Sequence, residues 1–475
     1  MNMAGSGKSL AKNTSILMIG QVSTKILTFL LLPLYTAFLT TEQYGTADLF
    51  ITYGSLIVVV FGLQVTQSIF RFLTEHRDDS VIINRIISTS FYFTCFLAGI
   101  FAVSFFGIRY LLPFEYNWLM LVYVIWLLFF QTFSNVSRGI GKNGSYAFAN
   151  FLAAAISLSI NVVLSVFWGF KDFGIVLGSM IGPIIGSIYL FFRIKMWRYL
   201  SPKHFEKQSL KTILKFCLPL IPNELSWAVI HASDRVIISN KIGLAANGLV
   251  SAASKFGSIF TTVFNVFGMA WTEQIVLMFR RDGCEAFFQK YFEKIVFIFA
   301  SFAILLIASM PIVFPLMVNS SFAEAYYLVP IYMGAVFFNA IIGITSAIMI
   351  ADNKTWEIAI TTIIAAILNI VVDLMLVNYI GIYAAPVSSL VSYLAITIWR
   401  VAIINRRYYK IRIGLKYVVC IFAILPISLL SFYGSYGTRS VIAFCFVIVL
   451  FILFTAKDDV KLILSMIFKK IKRRQ

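Results

Sequence analysis

The chain has 475 residues, of which 60% are hydrophobic and only 12% charged, with a mean hydropathy of +0.89. Soluble domains carry about a quarter charged residues, so a soluble enzyme or binding module is excluded and a polytopic membrane protein is implied. The net charge of +19 would suit a nucleic acid, but the basic residues lie in short loops between apolar runs, and no soluble basic domain exists to hold one.

From the N-terminus, Gly5 to Ser9 read GSGKS, the ending of a phosphate-binding loop. The full pattern needs a glycine where Asn2 stands, and no strand precedes it, so a flexible tail is expected. The apolar run that follows is too long for the core of a signal peptide. A helical span needs about 20 apolar residues. Fourteen such runs follow, approximately 13–39, 46–70, 86–108, 117–137, 146–168, 174–197, 215–240, 247–275, 294–317, 326–350, 357–379, 382–403, 416–433 and 439–456. The five cysteines are scattered, mostly within spans, and lack CxxC spacing, so no disulfide, metal or cofactor is expected.

The loops alternate in charge. With the N-terminus inside, the outer segments hold only Arg109, Lys171, Lys241 and Arg439, and nearly all other cations fall on the inner side. The positive-inside rule then makes both termini cytoplasmic. No long outer loop exists to fold into an external domain, which argues against membrane glycosyl transferases and ligases. The segment from Lys457 to Gln475 alternates apolar and basic residues and reads as an interfacial helix on anionic membrane lipids.

An internal repeat appears at an offset of 203 residues. Gly45 aligns with Gly248, Gly54 with Gly257, Ser55 with Ser258 and Lys12 with Lys215. Six spans precede Lys215, so both halves enter from the cytoplasm as parallel repeats. The expected architecture is all-α with two pseudo-symmetric six-helix lobes, 1–197 and 215–403. A cytoplasmic basic linker (198–214) joins them, helices 13 and 14 occupy 404–456, and the basic tail is 457–475.

The stretch from Lys215 to Phe260 carries Glu224, His231, Asp234, Arg235 and Lys255 at membrane depth. A charge in hydrocarbon costs at least ~2.5–3.5 kcal/mol, so such groups face a bundle interior or a wet cavity. Glu224, His231 and Arg235 fall within about 40° of one another on a helix. Lys25 lies in the first span, with Gln21 and Thr28 within about 60° on the same face. Pro33, Pro219 and Pro222 are candidate hinges, because each removes a backbone hydrogen bond.

The segment PLIPNELSWAVIHASDRVIIS (Pro219 to Ser239), followed by AANGLVSAASKFGSI, resembles the seventh and eighth helices of bacterial polysaccharide flippases. QVSTKILTFLLLPLYTAFLTTEQYG (Gln21 to Gly45) is similar to their first helix and the turn after it. These are the Wzx-type transporters of O-antigen and capsule repeat units, in the MATE-like superfamily that also holds the lipid II flippases. The resemblance implies a MATE-like fold in the bacterial cytoplasmic membrane. It implies an undecaprenyl-diphosphate-linked oligosaccharide as substrate, moved to the outer leaflet by alternating access. A polysaccharide polymerase complex is a candidate partner, and the chain is expected to act as a monomer.

A diphosphate headgroup needs cations in a shielded cavity. Lys25, Arg235 and Lys255, with Gln21, Thr28 and His231, are therefore the expected substrate contacts, Arg235 offering a bidentate fork and the lysines point charges. The competing reading is a set of buried ion pairs in which Glu224, Asp234 or Asp373 neutralise these cations. Those carboxylates are also candidates for ion coupling. Of the alternatives, a MATE-type cation antiporter would carry acidic groups in its first lobe, where spans one to six hold only Asp48. A lipid II flippase would show several arginines in its first two spans, and they are not present.

Overall fold

Eleven helical stretches among the described residues are long and apolar enough to cross a membrane. The structure is a computed structural model that describes residues 25, 28–112, 116–279 and 283–472, with side chains as far as residue 455. Lys207–Lys241 holds the break expected at Pro219 and Pro222, and Thr355–Arg407 holds two spans joined by a short 3-10 turn. Adding the shorter apolar helix Thr28–Phe38 and the long helix Leu244–Met278 gives one helical stretch for every expected span. Gln21, Lys12 and the GSGKS tail lie outside the described residues.

In chain order the helices are α1 (Leu32–Phe38), α2 (Thr41–Gly62), α3 (Val65–Glu75), α4 (Ser80–Ile108), α5 (Asn117–Gly139), α6 (Asn143–Val162), α7 (Lys171–Arg193), α8 (Lys207–Cys217) and α9 (Ile221–Lys241). There follow α10 (Leu244–Met278), α11 (Cys284–Met317), α12 (Val329–Ala351), α13 (Thr355–Ile380), α14 (Ala384–Arg407), α15 (Leu415–Tyr433) and α16 (Thr438–Lys472). Short polar side chains start several of them. Thr40 accepts from the Gln43 amide at 3.2 Å while the Gln43 side chain accepts from Thr40 N at 3.1 Å, a reciprocal cap for α2. Asp79 accepts from Val81 N and Ile82 N to open α4. The second span breaks at Leu63 and Gln64, whose φ angles of 46° and 55° are left-handed.

Contacts divide the chain into two compact units. The first holds residues 1–28, 38–239 and 243–248, and the second holds 29–37, 240–242 and 249–475. The boundary expected at residue 215 followed the repeat, whereas α9 packs with the first unit up to Ser239. Part of the expected linker is structured as α8. Its Ile213 and Cys217 are buried in the core of the first unit, and Ile213 O accepts a 3.1 Å hydrogen bond from Ser68. The last helix runs unbroken through the basic tail to Lys472.

In the first unit, α2 and the first turn of α10 meet with no side chain between them. A methyl group on Gly45 would lie 1.9 Å from Leu244 O, and one on Gly248 would lie 1.9 Å from Thr41 O. Thr41 and Leu244 are themselves 203 residues apart, so the contact maps onto itself under the repeat. Asn247, fully buried, donates from Nδ2 to Gly45 O at 2.8 Å and closes the crossing. The second unit has its own core, with Phe297, Ile304 and Ala308 of α11 packed on Tyr417 and Ile424 of α15.

Candidate functional site

Arg235 sits four turns into α9, and its Nε lies 2.9 Å from Asp48 Oδ2 of α2. The two side chains are 16% and 12% exposed, so the pair is mostly shielded. A guanidinium on an apolar helix forces such an arrangement, because an unpaired charge removed from water is costly. Arg235 pairs with Asp48, an acid that was not among the expected partners Glu224, Asp234 and Asp373.

One turn before Arg235 on α9 lies His231, whose ring stacks on Trp227 with centroids 6.2 Å apart. Its side chain is exposed, and its charged neighbours are Arg235 and Lys25. Lys25 is helical and exposed, and Thr28 is half-buried. Glu224 is exposed near the start of α9, while Asp234 is 5% exposed. Thus the first unit brings Lys25 and His231 near the Arg235–Asp48 pair. Lys255 and Asp373 belong to the second unit. Lys255 is half-buried, and Asp373 is fully buried one turn after Asn369, which donates to Ser388 at 3.2 Å.

The hinge candidates fall at three kinds of position. Pro33 lies inside α1, Pro219 lies in a 3-10 turn (Leu218–Leu220) between α8 and α9, and Pro222 occupies the second residue of α9. Pro222 O accepts from the Ser226 hydroxyl at 2.6 Å. Proline is tolerated in a first turn because its missing N–H would be unpaired there anyway. The break of this span is therefore placed at Pro219 rather than at Pro222. No group of three or more metal-ligating side chains occurs among the described residues.

Sequence reading missed Arg400, which lies within the expected span 382–403 but was not singled out. The residue is 1% exposed inside α14 and donates to Thr361 and Thr362 of α13, to Ser346 of α12 and to Ile358 O. Asp48 was noticed only as an isolated acid. Its depth near the outer end of the second span, matching that of Arg235 in the seventh, was the signal that joins them.

The sequence profile of the family described as polysaccharide biosynthesis protein matches residues 10–272. An Lsg locus protein of Haemophilus influenzae is 24% identical over 272 residues, 54% of this chain and 64% of the relative. A second membrane protein of that organism is 24% identical over 283 residues, 56% of this chain and again 64% of the relative. The chain thus spans just under two-thirds of the length of these relatives. Among solved structures, the lipid II flippase MurJ superposes with a TM-score of 0.71 at 14% identity, covering 94% of this chain and 100% of that one. A multidrug resistance MATE family transporter superposes with a TM-score of 0.68 at 16% identity, covering 82% and 98%. At these identities the likeness concerns the fold. With a family match over more than half its length, this multi-pass membrane protein of MATE- and MurJ-like fold belongs to the polysaccharide biosynthesis protein family.

Proposed function

We propose that the protein is a flippase that carries a polyprenyl-diphosphate-linked oligosaccharide from the inner to the outer leaflet of the bacterial cytoplasmic membrane, with both termini inside. The observation that carries this reading is the grouping of Lys25, His231 and Arg235 on an accessible part of the first unit at membrane depth. Such a group suits an anionic headgroup, and the family match supplies the sugar. The arginine fork grips phosphate oxygens in two directions, and the lysine adds a point charge. Asp48 holds Arg235 in place while the site is empty and tempers its charge, so that substrate exchanges with it rather than binding irreversibly.

Two charges on the substrate also supply a driving force. Moving one charge through 100 mV is worth ~2.3 kcal/mol, so outward passage of a doubly charged headgroup gains ~4–5 kcal/mol in a cell that is negative inside. Glu224 and Asp373 then need not couple an ion, and Pro219 and Pro33 serve as bends for alternating access. O-antigen and capsule units, a polymerase complex as partner, and a monomeric state are the finer expectations of this reading. The test is deletion in a host that makes the corresponding polysaccharide. Lipid-linked repeat units should accumulate facing the cytoplasm, and normal export in the deletion strain would overturn the proposal.

A further inference from the structure

A second cationic group lies in the first unit, away from Arg235. Lys142 precedes α6, Arg193 ends α7, and Lys195 follows it, within electrostatic reach of Lys142. All three are exposed, and among the described residues none of them forms an ion pair. Partial burial, with the charges of Arg193 and Lys195, holds the Lys142 ammonium below the usual lysine range. Lys195 is fixed at φ 58°, a conformation lysine rarely adopts. The amide end of α6 carries no side-chain cap, so its leading N–H groups suit an anion as well.

Beneath this turn is a groove of about 290 Å³ lined mainly by aromatic side chains, with Ile188 and Ser187 of α7. It is walled by Phe91 of α4, by Trp126, Phe129 and Phe133 of α5, and by Phe191 and Phe192 of α7. Phe191 and Phe192 each touch the Trp197 ring at 5.8 Å, and Arg193 follows Phe192 directly, so the groove leads into the basic turn. At 1.5 Å per residue the lining runs from a few ångströms to about 20 Å below the ends of α5 and α7, roughly one leaflet of a 30 Å hydrocarbon core. On the positive-inside reading that leaflet is the cytoplasmic one.

We propose that the groove and the Lys142, Arg193 and Lys195 cluster form a loading site for a polyprenyl diphosphate, its isoprenoid chain in the groove and its headgroup on the three cations. The assignment rests on the flippase reading for its source of ligand and on two features for its chemistry. The groove has room for a single hydrocarbon segment, which suits a one-chain lipid better than a two-chain phospholipid. Three cations without an ion pair among the described residues exceed the single charge of a phosphodiester and match a diphosphate. A substrate held here stands in the leaflet where it is made, before it reaches Arg235.

The test is binding to the purified full-length protein, read by native mass spectrometry and by thermal shift. The probes are undecaprenyl diphosphate, a phosphatidylglycerol and inorganic diphosphate. Undecaprenyl diphosphate should bind and stabilise the wild type more than either control. Affinity should fall on the order of tenfold or more in the Lys142→Ala/Arg193→Ala/Lys195→Ala variant and in Trp126→Ala. The exposed variant Lys354→Ala, in the second unit, should bind as the wild type does. The triple variant alters exposed side chains only, and its unliganded melting temperature checks that it is folded. Equal binding of phosphatidylglycerol, or of inorganic diphosphate alone, would overturn the loading site. So would undecaprenyl diphosphate binding that the triple variant retains, although the flippase reading would then stand. No undecaprenyl diphosphate binding by the wild type would overturn both.

Discussion

Arg235 and Asp48, which come from the seventh and second expected spans, face each other at 2.9 Å inside one compact unit. On the flippase reading the pair therefore has both a structural and a functional role. Removing one partner of a fully buried pair costs about 3–5 kcal/mol because the other charge is stranded, and slightly less is expected here, where both side chains keep some exposure. Asp48→Asn should lower unfolding stability in detergent, and Asp48→Asn/Arg235→Gln should recover much of the loss. Additive losses in the double variant would mean that the contact contributes no coupling energy.

Gly45 and Gly248 should tolerate no side chain. A methyl at either position would meet a backbone carbonyl oxygen at 1.9 Å, which no rotamer change relieves. Overpacking of this kind costs about 1–3 kcal/mol or more. Gly45→Ala and Gly248→Ala should each lower the melting temperature, and the double variant should cost less than their sum, since one separation of the helices accommodates both. Unchanged melting of either single variant would mean that the helices are not in contact.

Arg400 gives a prediction that distinguishes volume from charge. Thr361 and Thr362 already donate to Ile358 O at 2.9 and 2.8 Å, and Ser346 to Ile342 O, so their hydroxyl protons stay satisfied without the guanidinium. Arg400→Met should therefore stay within about 1.5 kcal/mol of the wild type, as volume-conserving changes do. Arg400→Ala should lose about 2–5 kcal/mol through the cavity. A collapse of Arg400→Met to the level of Arg400→Ala would show that the charge itself is required.

The membrane-spanning helices were legible because long apolar runs are a local signal. Helix starts such as Thr40 and Asp79 follow from their own side chains. The pairing of Arg235 was not legible, since Glu224 and Asp234 lie closer to it in sequence than Asp48 and only packing chooses among them. Arg400 was hidden because a cation so close to the end of an apolar run reads equally as loop or interior. The placement of α9 with the first unit was hidden too, since the repeat marks where a lobe begins and not where the chain makes its contacts.

The driving force can be separated from the binding site. Collapsing the membrane potential in proteoliposomes while keeping the pH gradient should slow flipping, since ~4–5 kcal/mol of electrical work is lost for two charges at 100 mV. Glu224→Gln/Asp373→Asn should keep most transport. Flipping that follows only a proton or sodium gradient and dies in that double variant would make the carboxylates the coupling site.

The most direct measurement is the flipping rate of a labelled polyprenyl-diphosphate oligosaccharide in proteoliposomes for Lys25→Ala against the wild type, with equal folded protein confirmed by melting temperature. Lys25 is exposed, and the melting temperature separates a loss of folding from a lost headgroup contact. The cationic site predicts a rate reduced on the order of tenfold or more, the equivalent of about 1.4 kcal/mol of lost headgroup stabilisation, with partial recovery in Lys25→Arg. A folded Lys25→Ala protein that flips at the wild-type rate would contradict it.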